Sequence, residues 1–482
     1  MLPGTVAAIP ARGGGNWDRS AGVIVVGAGL AGYCAALAAA ERGASVLLLE
    51  KQPDIGGTSL ISGGAIAFAG TKEQQTQLIN DSPEQLFSDL SRVGGDAADQ
   101  ILLATYAELQ HETYRWLQNY GLRFISVQQG SGQSVPRSNR VDTVQMMKAL
   151  ATAAAQNGRI SVLTACAAQS LVRTVPDDRV TGLVARHQGK TLTLHAHLGV
   201  ILASGGFSRS ESLLRKYAPT LTKAQRAGSN GSTGDGLVMA LAIGAKTKDM
   251  NGINSTFGRH PDADPAQNAL LHPIYKGAIA VNRDGRRFTD ESQSYKVLGE
   301  ACLKQPEALA FQIFDQSIMD LSVTEAATSD FRGALQTGLV LQAKDLPALA
   351  QHINCDEQTL CATIDEYNSD VSSGVDSRHG RSSLANGNGQ LRAIAVPPYY
   401  AYPCTSAILA TYCGLAVDAQ ARVIDNGGKP ISGLFAAGEI TGGFHGNGYM
   451  TGTSLGKAAI FGRVAGRAAA QFRATTALQE SA

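Results

Sequence analysis

The chain has 482 residues, 44% of them hydrophobic, which is enough to bury the cores of two or three domains. Its 41 Lys and Arg residues nearly cancel its 40 Asp and Glu residues, and like charges do not cluster, which argues against nucleic-acid binding. Seven scattered cysteines without a CxxC spacing favour reduced thiols over a disulfide framework. We therefore expect a cytoplasmic protein with a small-molecule partner and no nucleic acid.

The first 40 residues contain the one stretch that resembles a membrane span. Residues 1–20 include three consecutive glycines and two prolines and lack an apolar signal core, so we expect a flexible leader there. Residues 21–40 are uncharged and long enough to cross a membrane. Their glycines instead divide them into a strand, a turn and an alanine-rich helix, so we expect no membrane insertion.

The order of predicted elements indicates an α/β fold with a Rossmann-like parallel sheet. Strand 23–26, amphipathic helix 30–42 and strand 45–49 form a βαβ opening, and further strands are expected at 161–163, 180–186 and 199–202. Residues 254–402 contain more loops and polar stretches, with helical patterns around Glu307 and Ala362, which favours an inserted α+β domain. After it come strand and glycine turn 433–439 and helix 454–472. The predicted sheet domain is thus split into 21–253 and 403–482.

The first turn of this sheet carries a dinucleotide-binding signature. Gly27-Ala28-Gly29-Leu30-Ala31-Gly32 is a GxGxxG between strand and helix, where backbone NH groups and the helix N-terminus can hold a pyrophosphate. Glu50 ends the second strand, where its carboxylate can accept hydrogen bonds from ribose hydroxyls. A glycine turn that only packs the helix on the strand would not require that acid.

Two further glycine-rich segments favour FAD over NAD. Gly56-Gly57-Thr58-Ser59 and Ser62-Gly63-Gly64 form a second loop within reach of the same pyrophosphate. Gly438-Glu439 adds a late glycine turn with an acid, which suits the ribityl chain of a flavin. No histidine occurs between residues 56 and 69, where flavoproteins of this type carry the covalent link to the flavin, so we expect non-covalent FAD.

Several motifs resemble those of the fumarate reductase/succinate dehydrogenase flavoprotein superfamily, and the resemblance extends from residue 21 to nearly the end. They are 233–236 (TGDG), 281–288 (VNRDGRRF), 398–400 (PYY) and 437–446 (AGEITGGFHG). The resemblance implies that the inserted domain caps the isoalloxazine ring. The predicted cofactor-binding residues are Gly27, Ala28, Gly29, Ala31, Gly32, Glu50, Lys51, Gly57, Thr58, Ser59, Gly63, Gly64, Ala168, Ser204, Gly205, Asp235, Gly438, Glu439, Ser454 and Leu455.

The chain departs from fumarate-reducing members at the positions that bind substrate. Tyr295 stands where those members have an arginine proton donor, and Tyr449 stands where they have a second arginine. Leu409 and Ala410 replace a histidine pair, although His260 offers a match for another family histidine. Since a dicarboxylate needs a cationic clamp at both ends, fumarate and succinate are poor candidates.

Tyrosines at these two places are similar to the ketosteroid dehydrogenase branch. That similarity implies that Tyr295 removes a proton beside a ketone while Tyr449 and the Gly452 NH polarise the carbonyl. An unperturbed phenol has a pKa of about 10, so a basic Tyr295 needs a phenolate-favouring environment or a proton relay. The alternative for Tyr295 is a packing role. His445 either hydrogen-bonds the flavin or packs in its loop.

We therefore expect an FAD-dependent dehydrogenase that desaturates a cyclic ketone, steroid or smaller, with oxygen or another acceptor reoxidising the flavin. A carboxylate on that substrate could pair with Arg259. The alternative is an enoate reductase or carboxylic-acid dehydrogenase of the fumarate reductase or tricarballylate dehydrogenase type. A third hypothesis is a non-enzymatic binding protein that FAD stabilises. In such a protein, the addition of a ketone would not bleach the flavin.

Overall fold

A computed structural model describes residues 9–11, 17–174, 178–253, 255–263, 269–324, 328–385, 387 and 389–472. The chain divides into two compact units. The first unit comprises Met1–Tyr217, Ser229–Ile253 and Ala410–Ala482, and the second comprises Ala218–Gly228 and Asn254–Leu409. Among the described residues, no helix combines the length and the apolar character needed to cross a membrane.

Elements are numbered in chain order. The strands of the first unit are β1 (Ile9–Ala11), β2 (Arg19–Val26), β3 (Val46–Leu49), β4 (Ala65–Ala67), β5 (Phe124–Gln128), β6 (Ser138–Val141), β7 (Ile160–Leu163), β8 (Cys166–Thr174), β9 (Arg179–His187), β10 (Lys190–Leu202), β12 (Thr247–Lys248), β18 (Gly414–Leu415), β19 (Arg422–Ile424) and β20 (Pro430–Ala436). Its helices are α1 (Leu30–Glu41), α2 (Gly57–Leu60), α3 (Lys72–Thr76), α4 (Pro83–Gly94), α5 (Gln100–Asn119), α6 (Thr143–Gln156), α7 (Glu211–Tyr217), α8 (Asp235–Leu241) and α14 (Thr453–Gln471).

The strands of the second unit are β11 (Gln225–Arg226), β13 (Thr256–Arg259), β14 (Ile279–Asn282), β15 (Ala310–Asp315), β16 (Leu341–Ala343) and β17 (Tyr399–Ile408). Its helices are α9 (Tyr295–Leu303), α10 (Gln316–Met319), α11 (Phe331–Gln336), α12 (Leu346–Ile353) and α13 (Glu357–Ser373).

The main sheet of the first unit contains the predicted parallel arrangement. Strands β7, β3, β2, β10 and β20 are neighbours in that order, and each adjacent pair is parallel. The residues of β2 from Ala21 onward and all of β3 are buried, as expected for parallel strands covered on both faces. The N-terminal half of β10 instead pairs antiparallel with β9, which pairs antiparallel with β8. The predicted α/β class with a parallel sheet is confirmed.

Helix α1 covers one face of this sheet, and α14 packs against it. The sequence predicted an amphipathic helix here, which is wrong, because every residue from Leu30 to Ala40 is buried. The two helix backbones approach closely. A Cβ at Gly466 would lie 2.2 Å from the Ala35 oxygen, and one at Gly462 would lie 2.5 Å from the Ala31 oxygen. Both faces of α1 are therefore covered, and only glycine fits at these two contacts.

A six-stranded sheet forms the centre of the second unit, with β17 paired to β11, β13, β15 and β16. Residues 218–228, which the sequence analysis assigned to the sheet domain, belong to this unit because β11 pairs with Ala407 and Ile408. The unit extends to Leu409 rather than to residue 402, since β17 continues to Ile408. Such a pairing between distant segments leaves no local signal in the sequence.

Two local predictions differ from the structure. Within the predicted flexible leader, Ile9–Ala11 pairs with β8 and β2 already begins at Arg19, while most of residues 1–16 lie outside the described part. The helix expected around Glu307 is a single 3₁₀ turn, Pro306–Ala308, in which Glu307 has a φ of 56°. The helical pattern around Ala362 corresponds to α13.

Candidate active site

The GxGxxG turn of the first unit has the shape that a pyrophosphate requires. Gly27 has a φ of 106°, and a Cβ there would lie 2.4 Å from the Ala203 oxygen. A Cβ at Gly32 would lie 1.8 Å from the Gly27 oxygen, so α1 begins directly against the turn. A Cβ at Gly29 would lie 3.6 Å from the Ser59 hydroxyl oxygen, which is an ordinary van der Waals distance. The start of α1 thus leaves room and backbone NH groups for phosphate oxygens.

Glu50 is held beside this turn. Its carboxylate accepts hydrogen bonds from the backbone NH of Ala28 at 3.0 Å and of Gln52 at 2.9 Å. The neighbouring Lys51 forms a 2.6 Å ion pair with Asp235, the first residue of α8. Ala168 lies in β8, whose first residue Cys166 donates its NH to the Glu50 carbonyl at 2.8 Å. These residues fit the adenosine half of a dinucleotide.

The second glycine-rich loop contacts the first. The Ser59 hydroxyl accepts a hydrogen bond from the Leu30 NH at 3.2 Å, which joins α2 to the start of α1. Gly57 begins α2, and the Thr58 hydroxyl lies 3.2 Å from that of Ser232. Gly63 and Gly64 lead into β4, and Gly64 has a φ of 71°. A Cβ at Gly64 would lie 2.2 Å from the Val141 oxygen.

The late glycine turn reaches the same region. A Cβ at Gly438 would lie 2.8 Å from the Cβ of Ala31 in the first turn of α1. The Glu439 carboxylate accepts a 3.0 Å hydrogen bond from the Thr411 NH, and burial raises its pKa. A Cβ at Gly205 would lie 4.0 Å from the same carboxylate. The three glycine-rich elements of the sequence therefore surround one region.

An unsatisfied hydroxyl supports the fit of a polar cofactor to this region. The Ser204 side-chain oxygen is buried and has no hydrogen-bond partner among the residues that the structure describes. A Cβ at Gly236 would lie 2.2 Å from that oxygen, so a glycine is needed beside it. Buried hydroxyls are usually hydrogen-bonded, and the ribityl or phosphate groups of FAD would supply a partner.

Tyr449 lies on the turn before α14. Gly452 caps this helix with a φ of 89°, and Ser454 and Leu455 occupy its first turn. Burial raises the pKa of Tyr449, and Ser454 and the Gly452 backbone partly offset the rise. The sequence analysis expected Tyr449 and the Gly452 NH to point at one external oxygen. In the structure, the Gly452 backbone instead acts on the Tyr449 hydroxyl itself and lowers its pKa.

Aromatic rings surround Tyr449. The ring of Tyr412 lies 4.8 Å and that of His445 lies 5.4 Å from it, measured between centroids. The His445 Nε2 is 3.1 Å from the Thr453 hydroxyl, so His445 is tied to the start of α14. This contact is consistent with the predicted packing role of His445 in its loop.

A loop missed by the sequence analysis holds the Tyr449 turn from the side. The Gln133 amide donates a 2.8 Å hydrogen bond to the Thr451 carbonyl. The Ser131 NH donates to the Thr451 hydroxyl at 3.0 Å, and the Thr451 NH donates to the Ser131 carbonyl at 3.0 Å. A Cβ at Gly130 would lie 2.6 Å from the Thr451 Cβ. No motif identified this loop, because its partners are over 300 positions away.

Tyr295 belongs to the second unit and begins α9, with Ser294 as the capping residue. Its ring stacks on His272 at 5.7 Å with an interplanar angle of 16°. Burial lowers the pKa of His272, whose Nε2 lies 2.8 Å from the Phe257 carbonyl oxygen. Burial raises the pKa of Tyr275, and the backbone of Tyr295 partly offsets the rise. The helix start and two rings therefore fix the backbone and ring of Tyr295.

Lys296, the next residue, was not singled out from the sequence. Its Nζ donates a 2.9 Å hydrogen bond to the Thr256 hydroxyl and lies 5.6 Å from the centroid of the Tyr295 ring. Burial of the amino group lowers its pKa to about 7. A lysine that titrates near neutrality beside a candidate base is a candidate functional group.

A buried ion network supports the loop that leads to Tyr295. Arg287 donates hydrogen bonds of 2.7 Å to both Glu291 and Asp376. Arg381 lies 3.4 Å from Glu291, whose other oxygen accepts from the Ala280 NH at 3.1 Å. Glu291 is thereby fixed to β14, only a few residues before α9 begins.

Arg259, the predicted partner of a substrate carboxylate, is occupied within its own unit. It is 2% exposed, and its Nε donates to the Gln225 side chain at 3.0 Å. One terminal nitrogen lies 3.4 Å from the Ala263 carbonyl. His260 is also buried, which lowers its pKa, and its Nδ1 accepts from the Asp262 NH at 3.2 Å. These contacts do not favour Arg259 as a carboxylate clamp.

Comparison with known proteins places these features in context. A family model described as an FAD binding domain matches residues 22–455. The chain is 31% identical over 456 residues to a probable fumarate reductase of Shewanella frigidimarina, covering 93% of this chain and 74% of that protein. It is 32% identical over 463 residues to the urocanate reductase of Eggerthella lenta, with the same coverages of 93% and 74%.

Solved structures are similar over almost the whole chain. A flavocytochrome c3 fumarate reductase superposes with a TM-score of 0.83 and 30% identity, covering 94% of this chain and 79% of that one. A 3-ketosteroid Δ4-(5α)-dehydrogenase of Rhodococcus jostii superposes with a TM-score of 0.77 and 27% identity. That comparison covers 97% of this chain and 100% of that one.

Proposed function

The chain belongs to the FAD-binding family of fumarate reductase flavoproteins, and we propose that it desaturates a cyclic ketone, steroid or smaller, to its α,β-unsaturated ketone. It is an FAD-dependent oxidoreductase, since the family model matches residues 22–455 and the relatives are named reductases. The cofactor is held by the three glycine-rich elements of the first unit. We propose that it is held without a covalent link.

The observation that carries the proposal is the environment of Tyr449. Its phenol is buried, and the Gly452 backbone and Ser454 at the start of the 19-residue helix α14 offset only part of the rise in its pKa. The phenol is therefore neutral near pH 7, as an ordinary phenol is, and can donate its own proton. A neutral donor suits a ketone oxygen. A carboxylate would instead be matched by the arginine that fumarate-reducing members carry there.

The proposed reaction breaks two C–H bonds on adjacent carbons. Tyr295 is the proposed base for the proton next to the ketone, and Tyr449 is the proposed donor to the ketone oxygen as negative charge develops there. Bound FAD would supply the acceptor for the hydride from the β-carbon. Ser454 and Gly452 then act through Tyr449 rather than on the substrate. The flavin is proposed to be reoxidised by oxygen or another acceptor.

A second candidate is an enoate reductase or carboxylic-acid dehydrogenase. It is favoured by the relatives at about 30% identity, which are named fumarate and urocanate reductases. The ketosteroid dehydrogenase likeness rests on a structure of 27% identity. On the other side, Arg259 is occupied by Gln225 and Ala263, so the second unit offers little support for a carboxylate clamp at that residue.

Anaerobic flavin absorbance distinguishes the two candidates. The FAD-loaded enzyme is mixed in turn with cyclohexanone, a 3-ketosteroid, succinate and tricarballylate, and the reduced enzyme with fumarate and urocanate. Bleaching by a ketone alone supports the desaturase. Bleaching only by a carboxylic acid, or reoxidation only by an unsaturated acid, rejects it in favour of the second candidate.

The Y449F variant tests the residue that carries the proposal. Loss of this donor is expected to slow flavin reduction by the ketone about 100-fold. The matched control is Y120F, because the Tyr120 hydroxyl donates a 2.8 Å hydrogen bond to the carboxylate of Glu41, which is an exposed residue of the first unit. Rates within threefold of the unmodified enzyme in Y449F would remove Tyr449 from the mechanism.

A further inference from the structure

We propose that Lys296 is a positioning residue that acts through Tyr295, by taking up the proton that the phenol must lose before it can serve as a base. The inference rests on the proposed function, because it explains how a tyrosine can remove a proton at neutral pH. Both Lys296 and Tyr295 belong to the second unit.

The geometry pairs the two side chains. The Lys296 Nζ lies 5.6 Å from the centroid of the Tyr295 ring, and its hydrogen bond to the Thr256 hydroxyl, at 2.9 Å, fixes it to β13. The stack of Tyr295 on His272 fixes the ring. Lys296 is also the second residue of α9, where the positive end of the helix dipole disfavours a cation. The site thus holds an amine in a place where its protonation is costly.

The chemistry follows from the amine's titration. Burial lowers the pKa of Lys296 to about 7, so the amine is neutral and able to accept a proton at slightly alkaline pH. Transfer of the phenol proton to the amine gives a phenolate and an ammonium with no change in net charge. The phenolate then takes the substrate α-proton and becomes a phenol again. The ammonium releases its proton to solvent, which restores the neutral pair.

The size of the effect follows from Coulomb's law. With the phenolate charge placed at the centre of the Tyr295 ring, 5.6 Å from the Lys296 Nζ, the two unit charges interact, at an effective dielectric constant of about 20, by the equivalent of about two pH units. An ordinary phenol with a pKa of about 10 would thus titrate near 8 beside the ammonium. With an amine that titrates near 7, about a tenth of the singly protonated pairs carry the phenolate. This fraction stays constant above neutral pH until the phenol ionises by itself.

Several other titratable groups lie around α9, and those named below as uncharged do not obscure the titration of Lys296. They are Arg259 on β13, Tyr399, Tyr400, Tyr402 and Cys404 on β17, Glu307 in the 3₁₀ turn, His272 and Tyr275 before β14, Glu300 on α9 itself and Lys304 directly after it. Burial raises the pKa of Tyr402 and of Cys404 and lowers that of His272. These three groups therefore remain uncharged between pH 7 and pH 9.

A titration without substrate tests the pairing directly. The FAD-loaded enzyme is labelled with ¹³C at the tyrosine Cζ, and the NMR resonance absent from Y295F is followed with pH. It is expected to shift with an inflection near pH 7 that disappears in K296M and is retained in K304M, since Lys304 is the exposed lysine that directly follows α9. No inflection near pH 7 in the unmodified enzyme, or its persistence in K296M, would overturn the inference.

The reaction rate supplies the second readout. With cyclohexanone, flavin reduction should level off above pH 7 in the unmodified enzyme, whereas in K296M it should keep rising and be about tenfold slower at pH 8. K296R keeps a fixed charge and should level off about one pH unit higher. An identical profile in K296M overturns the inference. If no ketone reduces the flavin, the proposed function fails while the NMR titration still decides the pairing.

Discussion

Replacing Arg287 by methionine should destabilise the second unit by about 3 kcal/mol. Arg287 is the shared partner of Glu291 and Asp376, at 2.7 Å from each, and both carboxylates have side chains no more than 1% exposed. Removing one member of a buried ion pair costs about 3–5 kcal/mol, because a charge remains buried without its partner. The lower end applies here, since Arg381 still lies 3.4 Å from Glu291.

The destabilisation should depend on pH in one direction. Burial alone would raise the pKa of Asp376, but the hydrogen bond from Arg287 and the other bonds that it accepts lower it to about 2. A carboxyl whose folded pKa lies below its unfolded value of about 3.9 stabilises the fold above pH 4 and loses that contribution as pH falls toward 2. About 2 kcal/mol of the difference between R287M and the unmodified protein should therefore vanish between pH 4 and pH 2.

Hydrogen exchange measured by mass spectrometry on peptides of β14 and α9 gives the local free energy of opening without assuming that both units unfold together. R332M is the control, because Arg332 and its partner Asp320 are each 56% exposed and such a pair contributes less than about 1 kcal/mol. A loss below about 1 kcal/mol in R287M at pH 7.5 would refute the reasoning.

Three further predictions concern the first unit. G32A should be purified with little or no FAD, as judged by the ratio of flavin to protein absorbance, because its Cβ would lie 1.8 Å from the Gly27 oxygen; full occupancy would contradict this. E50Q should weaken FAD binding about tenfold or more in a fluorescence titration, since a hydrogen bond to a charged group contributes about 1.5–3 kcal/mol. Q133A should slow flavin reduction about fivefold without loss of FAD, because the 2.8 Å bond to Thr451 is lost; an unchanged rate would show that the turn holds without it.

The fold could be predicted where its signals are local. The apolar run of β2, the glycine turn after it and the alanine-rich α1 are consecutive in sequence, and each appears within a few residues of its predicted bounds. The assignment of β11 to the second unit could not be predicted, because it depends on pairing with β17, nearly 200 positions later. Burial of both faces of α1 likewise depends on α14, which the sequence places at the other end of the chain.

In the candidate site, too, the residues with local sequence signals could be predicted and those that depend on distant partners could not. Each segment that is predicted to contact the cofactor carries glycines whose spacing is visible in the sequence, so the convergence of Gly27, Glu50 and Glu439 on one region was predictable. Lys296 was not, because a lysine at a helix start normally indicates a solvated surface. The role proposed for Lys296 depends on its hydrogen bond to Thr256, 40 positions earlier, and on its position near the Tyr295 ring. Residues that act through distant partners leave no motif.

In the proposed mechanism, having a tyrosine rather than an arginine at position 449 changes the stage of the reaction at which the enzyme binds the substrate oxygen most strongly. A carboxylate carries its charge throughout the reaction, so an arginine that binds it stabilises the ground state and the transition state alike. A ketone oxygen gains charge only as the α-proton leaves, so the bond donated by a neutral phenol strengthens only then. Desolvation keeps Tyr449 in this neutral donor form. The role proposed for Lys296 is the opposite, since it makes the phenol of Tyr295 easier to deprotonate. In the proposed reaction, two phenols with different surroundings supply the acid and the base.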